Sequence, residues 1–150
     1  MYHAIVRKKL YSVFERLNQG DYDYALQQLA PRFEHVFAGD HTFGGVRHTE
    51  ASFRKWFERL FKCFPDLRFD VQNIATSGWP WDTLCAVEWI DRATLKDGSA
   101  YENRGVHFIR LKWGRLVSIH AYLDTKLLED ACQVASRHGV QEALAAKITD

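Results

Sequence analysis

The feature that most constrains the fold is a change in apolar spacing at Pro65. Before this proline, large apolar side chains recur at helical intervals, at Phe53, Trp56, Phe57, Leu60, Phe61 and Phe64. This spacing predicts an amphipathic helix that Thr49 caps and Pro65 closes. After Pro65, apolar residues alternate with polar ones, as they do in half-buried strands. The chain therefore combines a helical half with a stranded half.

Two more amphipathic segments precede this helix. The first ends at Asn18-Gln19-Gly20, and its inward face comprises Ile5 or Val6, Leu10, Val13, Phe14 and Leu17. A short second helix is predicted from an N-cap at Asp21 to Ala30, where Pro31 ends it. A brief strand over residues 34–37 and a glycine-rich loop over residues 38–48 then lead to the long helix.

The strands follow in the second half of the chain. The apolar alternation that begins at Leu67 slips at Asn73-Ile74, which predicts a bulge that bends the sheet. Three further strands, connected by short turns, are predicted over residues 84–90, 101–113 and 116–123. Asp124 or Thr125 then caps a C-terminal helix.

These elements predict an α+β fold in one domain over residues 1–150, since no linker or repeat divides the chain. We expect the three N-terminal helices to pack on a strongly curved antiparallel sheet, with the C-terminal helix after it. A sheet bent in this way wraps into a cone that is open at its wide end. The cone is the predicted binding pocket.

The parity of the residue numbers predicts which strand side chains point into the cone. Odd positions are the more apolar ones in both of the last two strands, so Tyr101, Asn103 and His107 are predicted to face inward. The two odd faces coincide only if the connecting loop has an odd number of residues. This register places His107 opposite Ala121.

Three ionisable residues are candidates for catalysis. His107 interrupts an inward apolar face, as a catalytic group would, although a core histidine bonded to a backbone carbonyl explains the position equally well. Asp91, on the preceding strand, is placed to orient a histidine. Asp40 lies in the glycine-rich loop, where either a catalytic group or an ordinary solvated turn is expected.

The predicted ligand contacts are mostly aromatic. They comprise Tyr101, Asn103, His35, Phe37, Phe57, Phe61, Trp79, Trp81, Trp89, Ala121 and Leu123. Two of them, Trp79 and Trp81, share one turn. This arrangement indicates that they either close the mouth of the pocket or pack on a partner subunit.

Charge, cysteine content and histidine spacing narrow the partners and cofactors. The 20 basic and 19 acidic residues nearly balance and form no basic run, so neither nucleic acid nor a membrane is expected as a partner. No apolar stretch has signal-peptide or membrane-spanning character. Three cysteines without close spacing fit a reduced, cytoplasmic protein. The histidine spacings fit no metal site, and no phosphate-binding loop occurs, so no cofactor is expected.

Several short patterns carry a family resemblance. They are Asn18-Gln19-Gly20-Asp21, Leu60-Phe61, Phe64-Pro65-Asp66-Leu67, Asp97-Gly98, Tyr101-x-Asn103, Trp113-Gly114-Arg115 and Tyr122-Leu123-Asp124. Together with the order of the elements, they resemble the SnoaL-like branch of the nuclear-transport-factor-two and ketosteroid isomerase superfamily. The resemblance implies the cone-shaped fold and a homodimer, for which the mixed, partly apolar outer face of the sheet is suited.

The resemblance also bears on the candidate residues. His107 falls where ketosteroid isomerases have a protonated aspartate in the oxyanion hole and where SnoaL-type cyclases have a pocket histidine. Phe37 falls at the position of the isomerase general base, and Ala121 at that of the cyclase acid/base aspartate. Both roles are vacant in this chain, so Asp40, His35 or Asp91 would have to supply the base.

Two functions are compatible with these features. The first is binding of a small apolar molecule in the cone, followed by cofactor-free isomerisation, cyclisation or hydrolysis in which His107 polarises a carbonyl or moves a proton. The second is a non-catalytic module that binds a ligand or forms a dimer. A second ionisable group facing the same ligand as His107 favours the first.

Overall fold

The computed structural model describes all 150 residues and has the predicted α+β architecture. Its elements, in chain order, are α1 (Tyr2–Asn18), α2 (Tyr22–Gln27), β1 (Leu29–Phe37), β2 (Gly45–Arg47), α3 (Glu50–Cys63), β3 (Arg68–Trp79), β4 (Asp82–Thr94), β5 (Ala100–Lys112), β6 (Arg115–Leu123), α4 (Thr125–Arg137) and a 3-10 helix (Gln141–Leu144). The predicted caps Asp21, Thr49 and Asp124 are confirmed, because each side chain accepts a hydrogen bond from a backbone N–H of the first turn.

The six strands form one curved sheet in the order β2-β1-β6-β5-β4-β3. Every neighbouring pair is antiparallel except β1 and β6, which run parallel. The expected antiparallel sheet is therefore corrected at this pair, because β1 belongs to the helical half and reaches β6 through the rest of the chain rather than through a hairpin. The predicted bulge is confirmed, since the β3–β4 register shifts between Val71 and Asn73.

The second helix is shorter, and the first strand longer, than predicted. α2 ends at Gln27 rather than Ala30, and β1 already begins at Leu29, so Pro31 lies within a strand instead of ending a helix. The β1–β6 register shifts between Leu29 and Glu34. Pro31 lies in this gap, where its missing N–H breaks no ladder hydrogen bond.

The predicted register of the last hairpin is confirmed, with His107 opposite Ala121. Its cause differs from the predicted odd-length loop. The turn has two residues, Trp113 and Gly114, and both have the positive φ that a tight hairpin turn requires. A one-residue bulge at Val117 then shifts the pairing and brings the two odd faces together.

The concave face of the sheet and the helices enclose one hydrophobic core. α1 contributes its predicted inward face, in which Val6 is buried while Ile5 points to solvent. α3 contributes Phe53, Trp56 and Phe57 from its apolar stripe. No helix combines the length and the apolar character needed to cross a bilayer. Within the core, a cavity remains between the helices and the sheet.

Candidate active site

A cavity of about 80 Å³ lies between the helices and the concave face of the sheet. Twenty of its 23 lining residues are hydrophobic, and the other three are His35, Asp91 and His107. All three were predicted from the sequence as site residues. Together with the hydroxyl of Tyr101, they are the groups with which the cavity can hydrogen-bond to a ligand or exchange a proton with it.

Several of the predicted ligand contacts line this cavity. They are Tyr101, His35, Phe37, Phe57, Trp89 and Leu123. The helices supply further wall residues that were not predicted as ligand contacts, among them Phe14 and Trp56. Their helical spacing predicted burial, but spacing alone does not distinguish a cavity wall from a packed core.

His107 is held by a neighbouring indole. It lies in the middle of β5, opposite Val87 and Ala121, and Trp89 Nε1 donates a hydrogen bond of 2.6 Å to His107 Nδ1. An indole N–H can only donate, so Nδ1 accepts and the imidazole proton lies on Nε2. Burial lowers the pKa of His107 to about 4, which keeps the ring neutral near neutral pH.

The other ring nitrogen of His107 is free for a ligand. The only hydrogen bond of the ring is the one at Nδ1. Two side-chain polar atoms are fully enclosed and lack a hydrogen-bond partner, and they are Arg59 Nε and Asp91 Oδ1. His107 Nε2 also lacks a partner but is not fully enclosed. Because the ring lines the cavity, this nitrogen is open to it. The cavity therefore offers a neutral imidazole N–H donor, which suits a carbonyl or enolate oxygen.

A glycine makes the contact between Trp89 and His107 possible. Gly105 lies opposite Trp89 in the β4–β5 ladder, and the indole crosses it to reach His107 two residues along. A Cβ atom at Gly105 would lie 2.5 Å from the indole Cη2 atom and 2.6 Å from the Tyr122 carbonyl oxygen. Close approach therefore requires glycine at this position.

Asp91 is the second ionisable group of the cavity. It lies on β4 between Phe69 and Asn103, is 5% exposed, and its Oδ1 atom has no hydrogen-bond partner. Burial raises the pKa of Asp91 from 3.8 to about 7, although backbone N–H groups of Asp91 and Asn103 act in the opposite direction. A carboxyl group with this pKa can accept and return a proton near neutral pH.

The strand register sets the separation of the His107 and Asp91 positions. His107 pairs with Val87, and Asp91 lies four residues further along β4, which separates the two backbone positions by about 13 Å along the strand direction. Both side chains lie on the concave face, since their positions have the same parity. The cavity wall therefore carries a carboxyl group and an imidazole at two separate positions of the concave face.

Asn103 supports the wall from behind rather than lining the cavity. Its amide donates to Tyr101 Oη at 3.0 Å and to the Asp124 carbonyl at 2.9 Å. Its carbonyl oxygen accepts from the backbone N–H groups of Arg104 and Asp124. All of the hydrogen-bonding capacity of Asn103 is used within the protein, so the side chain positions Tyr101, and its expected contact with a ligand stays a prediction.

Three more predicted site residues lie away from the cavity. Asp40 is at the surface, where its 95% exposed side chain pairs with Lys147 at 2.6 Å. Phe61 stacks on Tyr22 outside the lining, and Ala121 is buried beside the cavity without lining it. The expected catalytic role of Asp40 therefore receives no support from its position, because the glycine-rich loop directs it to solvent.

The tryptophans of the aromatic turn also lie outside the cavity. Trp79 and Trp81 stack with ring centroids 5.9 Å apart at the end of β3 and β4, and they remain 64% and 54% exposed. The indole of Trp113, in the next turn, packs on that of Trp81, and the backbone N–H of Trp113 donates a hydrogen bond of 2.7 Å to the Pro80 carbonyl. The three indoles form an exposed surface rather than a cover over the cavity.

One buried cation beside the cavity was not predicted. Arg47 is fully buried, and its Nε atom donates a hydrogen bond of 2.9 Å to His35 Nδ1. A single arginine in a loop carries no pattern that signals burial, because arginine is usually exposed. The hydrogen bond between Arg47 and His35 could therefore not be predicted from the sequence.

Several solved structures have a similar overall fold. An NTF2-like protein of unknown function from Burkholderia pseudomallei gives a TM-score of 0.72 at 19% identity, covering 87% of this chain and 97% of that one. IdmH from Streptomyces antibioticus, described as a putative polyketide cyclase, gives 0.70 at 19% identity over 86% and 99%. TerC, co-crystallised with polyporic acid, gives 0.70 at 13% over 87% and 98%. These likenesses show an NTF2-like fold.

The family follows from the sequence itself. The model of the SnoaL-like domain matches residues 11–119, which is most of the chain. The protein therefore belongs to the SnoaL-like domain family, and the resemblance predicted from its short patterns is confirmed. A search of curated proteins found no match.

Proposed function

We propose that this protein binds a small, largely apolar carbonyl compound in the cone and moves a proton on it without a cofactor. The observation that carries the proposal is that one apolar cavity is lined both by a buried carboxyl group, that of Asp91, and by a neutral imidazole whose Nε2–H makes no hydrogen bond within the protein. Unpaired polar groups in an apolar interior cost free energy, which a ligand that pairs with them recovers. The description of the similar IdmH as a putative polyketide cyclase supports the same class of substrate.

Asp91 is the base in this proposal. Its carboxylate takes a proton from a carbon next to the carbonyl group, and the electron pair moves onto the carbonyl oxygen. His107 Nε2–H donates a hydrogen bond to that oxygen as its negative charge develops. Asp91 then returns the proton to another carbon, which completes an isomerisation. In a cyclisation, the enolate carbon instead attacks a second carbonyl group, and the proton passes to the new alkoxide.

The size of the cavity limits the ligand that fits without rearrangement. Its volume of about 80 Å³ is smaller than the roughly 150 Å³ of an apolar cavity that binds benzene. Even a single aromatic ring therefore requires wall side chains to move when it binds, and a compound with fused rings requires larger movements. The side chains that would have to move include the aromatic rings of α1 and α3 that line the cavity, such as Phe14 and Phe57.

His107→Asn tests the hydrogen-bond donor. The Asn oxygen takes the place of His107 Nδ1 and still accepts from Trp89, but no group remains at the position of Nε2. In a thermal-shift screen of steroids, terpenoids, aromatic polyketides and small lactones, a ligand at 100 times its Kd should raise the Tm of the wild type by about 5–10 °C. We expect a smaller shift in the variant and a loss of turnover of about 10²–10³-fold.

The control for this experiment is His138→Asn, at the exposed end of α4. It should leave both the ligand-induced shift and the turnover unchanged. If His107→Asn behaves like this control, His107 does not contact the ligand, and the proposed chemistry loses its donor.

A non-catalytic ligand carrier is the second candidate function. It is favoured by the predominance of hydrophobic residues in the lining, which bind an apolar molecule without any chemistry. Mass spectrometry of ligands recovered after incubation separates the two functions. A carrier returns every ligand unchanged, whereas the proposed enzyme exchanges a carbon-bound proton with deuterium from D2O.

We also propose a homodimer formed through the outer face of the sheet. Phe108 and Tyr122 lie side by side on this face with ring centroids 6.4 Å apart, and they are 43% and 46% exposed. Two large rings on a sheet surface suit an isologous contact with a second copy. Phe108→Lys should convert the dimer to a monomer in light scattering, while Leu144→Lys on the exposed 3-10 helix should not. A monomeric wild type would exclude this dimer.

We further propose a cytoplasmic location. Cys63, Cys85 and Cys132 are all buried free thiols. Burial raises the pKa of each of them, so they remain protonated and unreactive. A protein that keeps its cysteines as buried thiols suits a reducing compartment.

A further inference from the structure

The buried Arg47 makes its hydrogen bonds with the loop before it, with the chain terminus and with one cavity residue. Its Nη1 donates to the carbonyl oxygens of Gly44 at 3.0 Å and Ile148 at 2.6 Å, and its Nη2 donates to that of Gly45 at 3.1 Å. Its Nε donates to His35 Nδ1 at 2.9 Å. No carboxylate lies within ion-pair distance of this guanidinium, which makes it an unusual buried charge.

The contact with Arg47 determines which nitrogen of His35 carries the proton. A guanidinium has donors and no acceptor, so His35 Nδ1 must accept and the proton must lie on Nε2. Burial, followed by the positive charge of Arg47, lowers the pKa of His35 well below its usual value. His35 is therefore a neutral imidazole with one N–H, as His107 is.

The ring of His35 is fixed so that this N–H reaches the cavity. It is 1% exposed, stacks on Phe53 with centroids 4.1 Å apart, and meets the edge of Trp56 at 4.8 Å. It also lines the cavity. Its Nε2 atom has no hydrogen-bond partner and is not among the enclosed polar atoms that lack one, so it opens to the cavity.

We propose that Arg47 fixes His35 as a second hydrogen-bond donor, beside His107, to an oxygen-bearing ligand in the cavity. The proposal rests on the proposed function and deepens it, because two neutral N–H donors favour a ligand whose oxygen carries negative charge. Arg47 is a positioning residue here. The charge of its guanidinium, transmitted through His35, strengthens the Nε2–H donor. The ligand class is an enolate or a phenolate on an apolar ring.

A second buried arginine provides the control for Arg47. Arg59 Nη1 donates to the Thr42 carbonyl at 3.1 Å and to the Ala146 carbonyl at 2.8 Å. Both arginines therefore hold the terminal segment, Arg47 at Ile148 and Arg59 at Ala146, but only Arg47 touches His35. Arg47→Met and Arg59→Met both release one anchor of that segment, and they differ in their effect on His35.

Nitrogen-15 NMR of the histidine side chains measures the protonation of His35 without any ligand or turnover. We expect the wild type and Arg59→Met to show His35 protonated at Nε2 only. Arg47→Met should show a mixture of the two neutral forms. If Arg47→Met fails to fold, the wild-type spectrum alone tests the proposal. A proton on Nδ1 of His35, rather than on Nε2, would overturn it.

Binding of 4-nitrophenol measures the donor role, since its absorbance distinguishes phenolate from phenol. His35→Asn keeps an oxygen for Arg47 Nε to bond and removes the N–H at the Nε2 position. We expect this variant to bind 4-nitrophenolate about tenfold more weakly, while nitrobenzene, which carries no phenolate oxygen, binds equally to both proteins. Equal losses for the two probes, or no phenolate binding by the wild type, overturn the proposal. Neither readout depends on turnover, so a wrong assignment of the reaction remains distinguishable.

Discussion

Asp91→Asn should remove most of the turnover and, at alkaline pH, make the protein more stable. The turnover falls because an amide cannot take a proton from carbon, and general-base catalysis contributes about 10²–10⁴-fold. The stability rises because the wild type has to bury an ionised carboxylate whose Oδ1 atom lacks a partner. A residue with a purely structural role would show a loss of both.

The gain in stability has a defined pH window. The pKa of Asp91 is about 7 in the folded protein, against an ordinary value of 3.8, so between these values the folded protein holds a proton that the unfolded chain has lost. The stability contributed by protonated Asp91 is therefore complete below about pH 4 and is lost as the pH rises through about 7. At about 1.4 kcal/mol per pKa unit, the wild type loses about 4 kcal/mol over this window. The variant loses none of it.

Urea unfolding of the two proteins at about pH 4.5 and about pH 8 measures this difference. The control is Asp70→Asn on the neighbouring strand β3, where an exposed carboxylate pairs with Arg92 at 3.4 Å. It should change the free energy of unfolding by no more than about 0.5 kcal/mol at either pH. A difference between wild type and Asp91→Asn that does not grow with pH would contradict a buried, proton-holding Asp91.

Gly105→Ala should destabilise the protein and detach the indole from His107. The added Cβ meets the indole of Trp89 at 2.5 Å and the Tyr122 carbonyl oxygen at 2.6 Å. The first contact lies in a packed core and the second involves backbone, so neither is relieved by a simple rotamer change. We expect the free energy of unfolding to fall by about 2–3 kcal/mol. With Trp89 displaced, His107 Nδ1 loses its donor and the ring is no longer held as the Nε2–H form.

A double-mutant cycle with Trp89→Phe separates the two effects of Gly105→Ala. The phenylalanine ring is smaller than the indole and leaves space for the alanine methyl group, so the double variant should recover part of the lost stability. It should not recover turnover, because phenylalanine has no N–H to hold His107. Recovery of turnover together with stability would show that the Trp89–His107 hydrogen bond is dispensable.

Much of the fold could be predicted because its signals are local. The aromatic stripe of α3, the caps Thr49 and Asp124, and the bulge after Val71 are all patterns of a few residues, and each is confirmed. The inward register of β5 follows from side-chain parity, and it led to His107. The less accurate part is β1, where Pro31 suggested a helix end and lies instead in an unpaired stretch of strand.

The candidate site was less predictable because its geometry depends on contacts between distant residues. His107 could be selected as a polar interruption of an apolar face, and Asp91 as a carboxylate on the preceding strand that is placed to orient a histidine. The bond between Trp89 and His107, however, requires knowledge that the indole crosses Gly105. Asn103 has the right parity, but its amide is used by Tyr101 and Asp124. Hydrogen-bond partners of this kind are set by packing, which no pattern in a single sequence records.

The distribution of the five tryptophans has a spectroscopic consequence. Trp56 and Trp89 are buried in the cavity wall, while Trp79, Trp81 and Trp113 are largely exposed. Acrylamide therefore quenches the fluorescence of the exposed three and spares the buried two. Replacing the exposed three with phenylalanine leaves a protein whose emission arises beside the cavity alone. In that protein, we expect ligand binding in the cavity to change the wavelength of the emission maximum and the fluorescence lifetime. Binding can then be measured without a label.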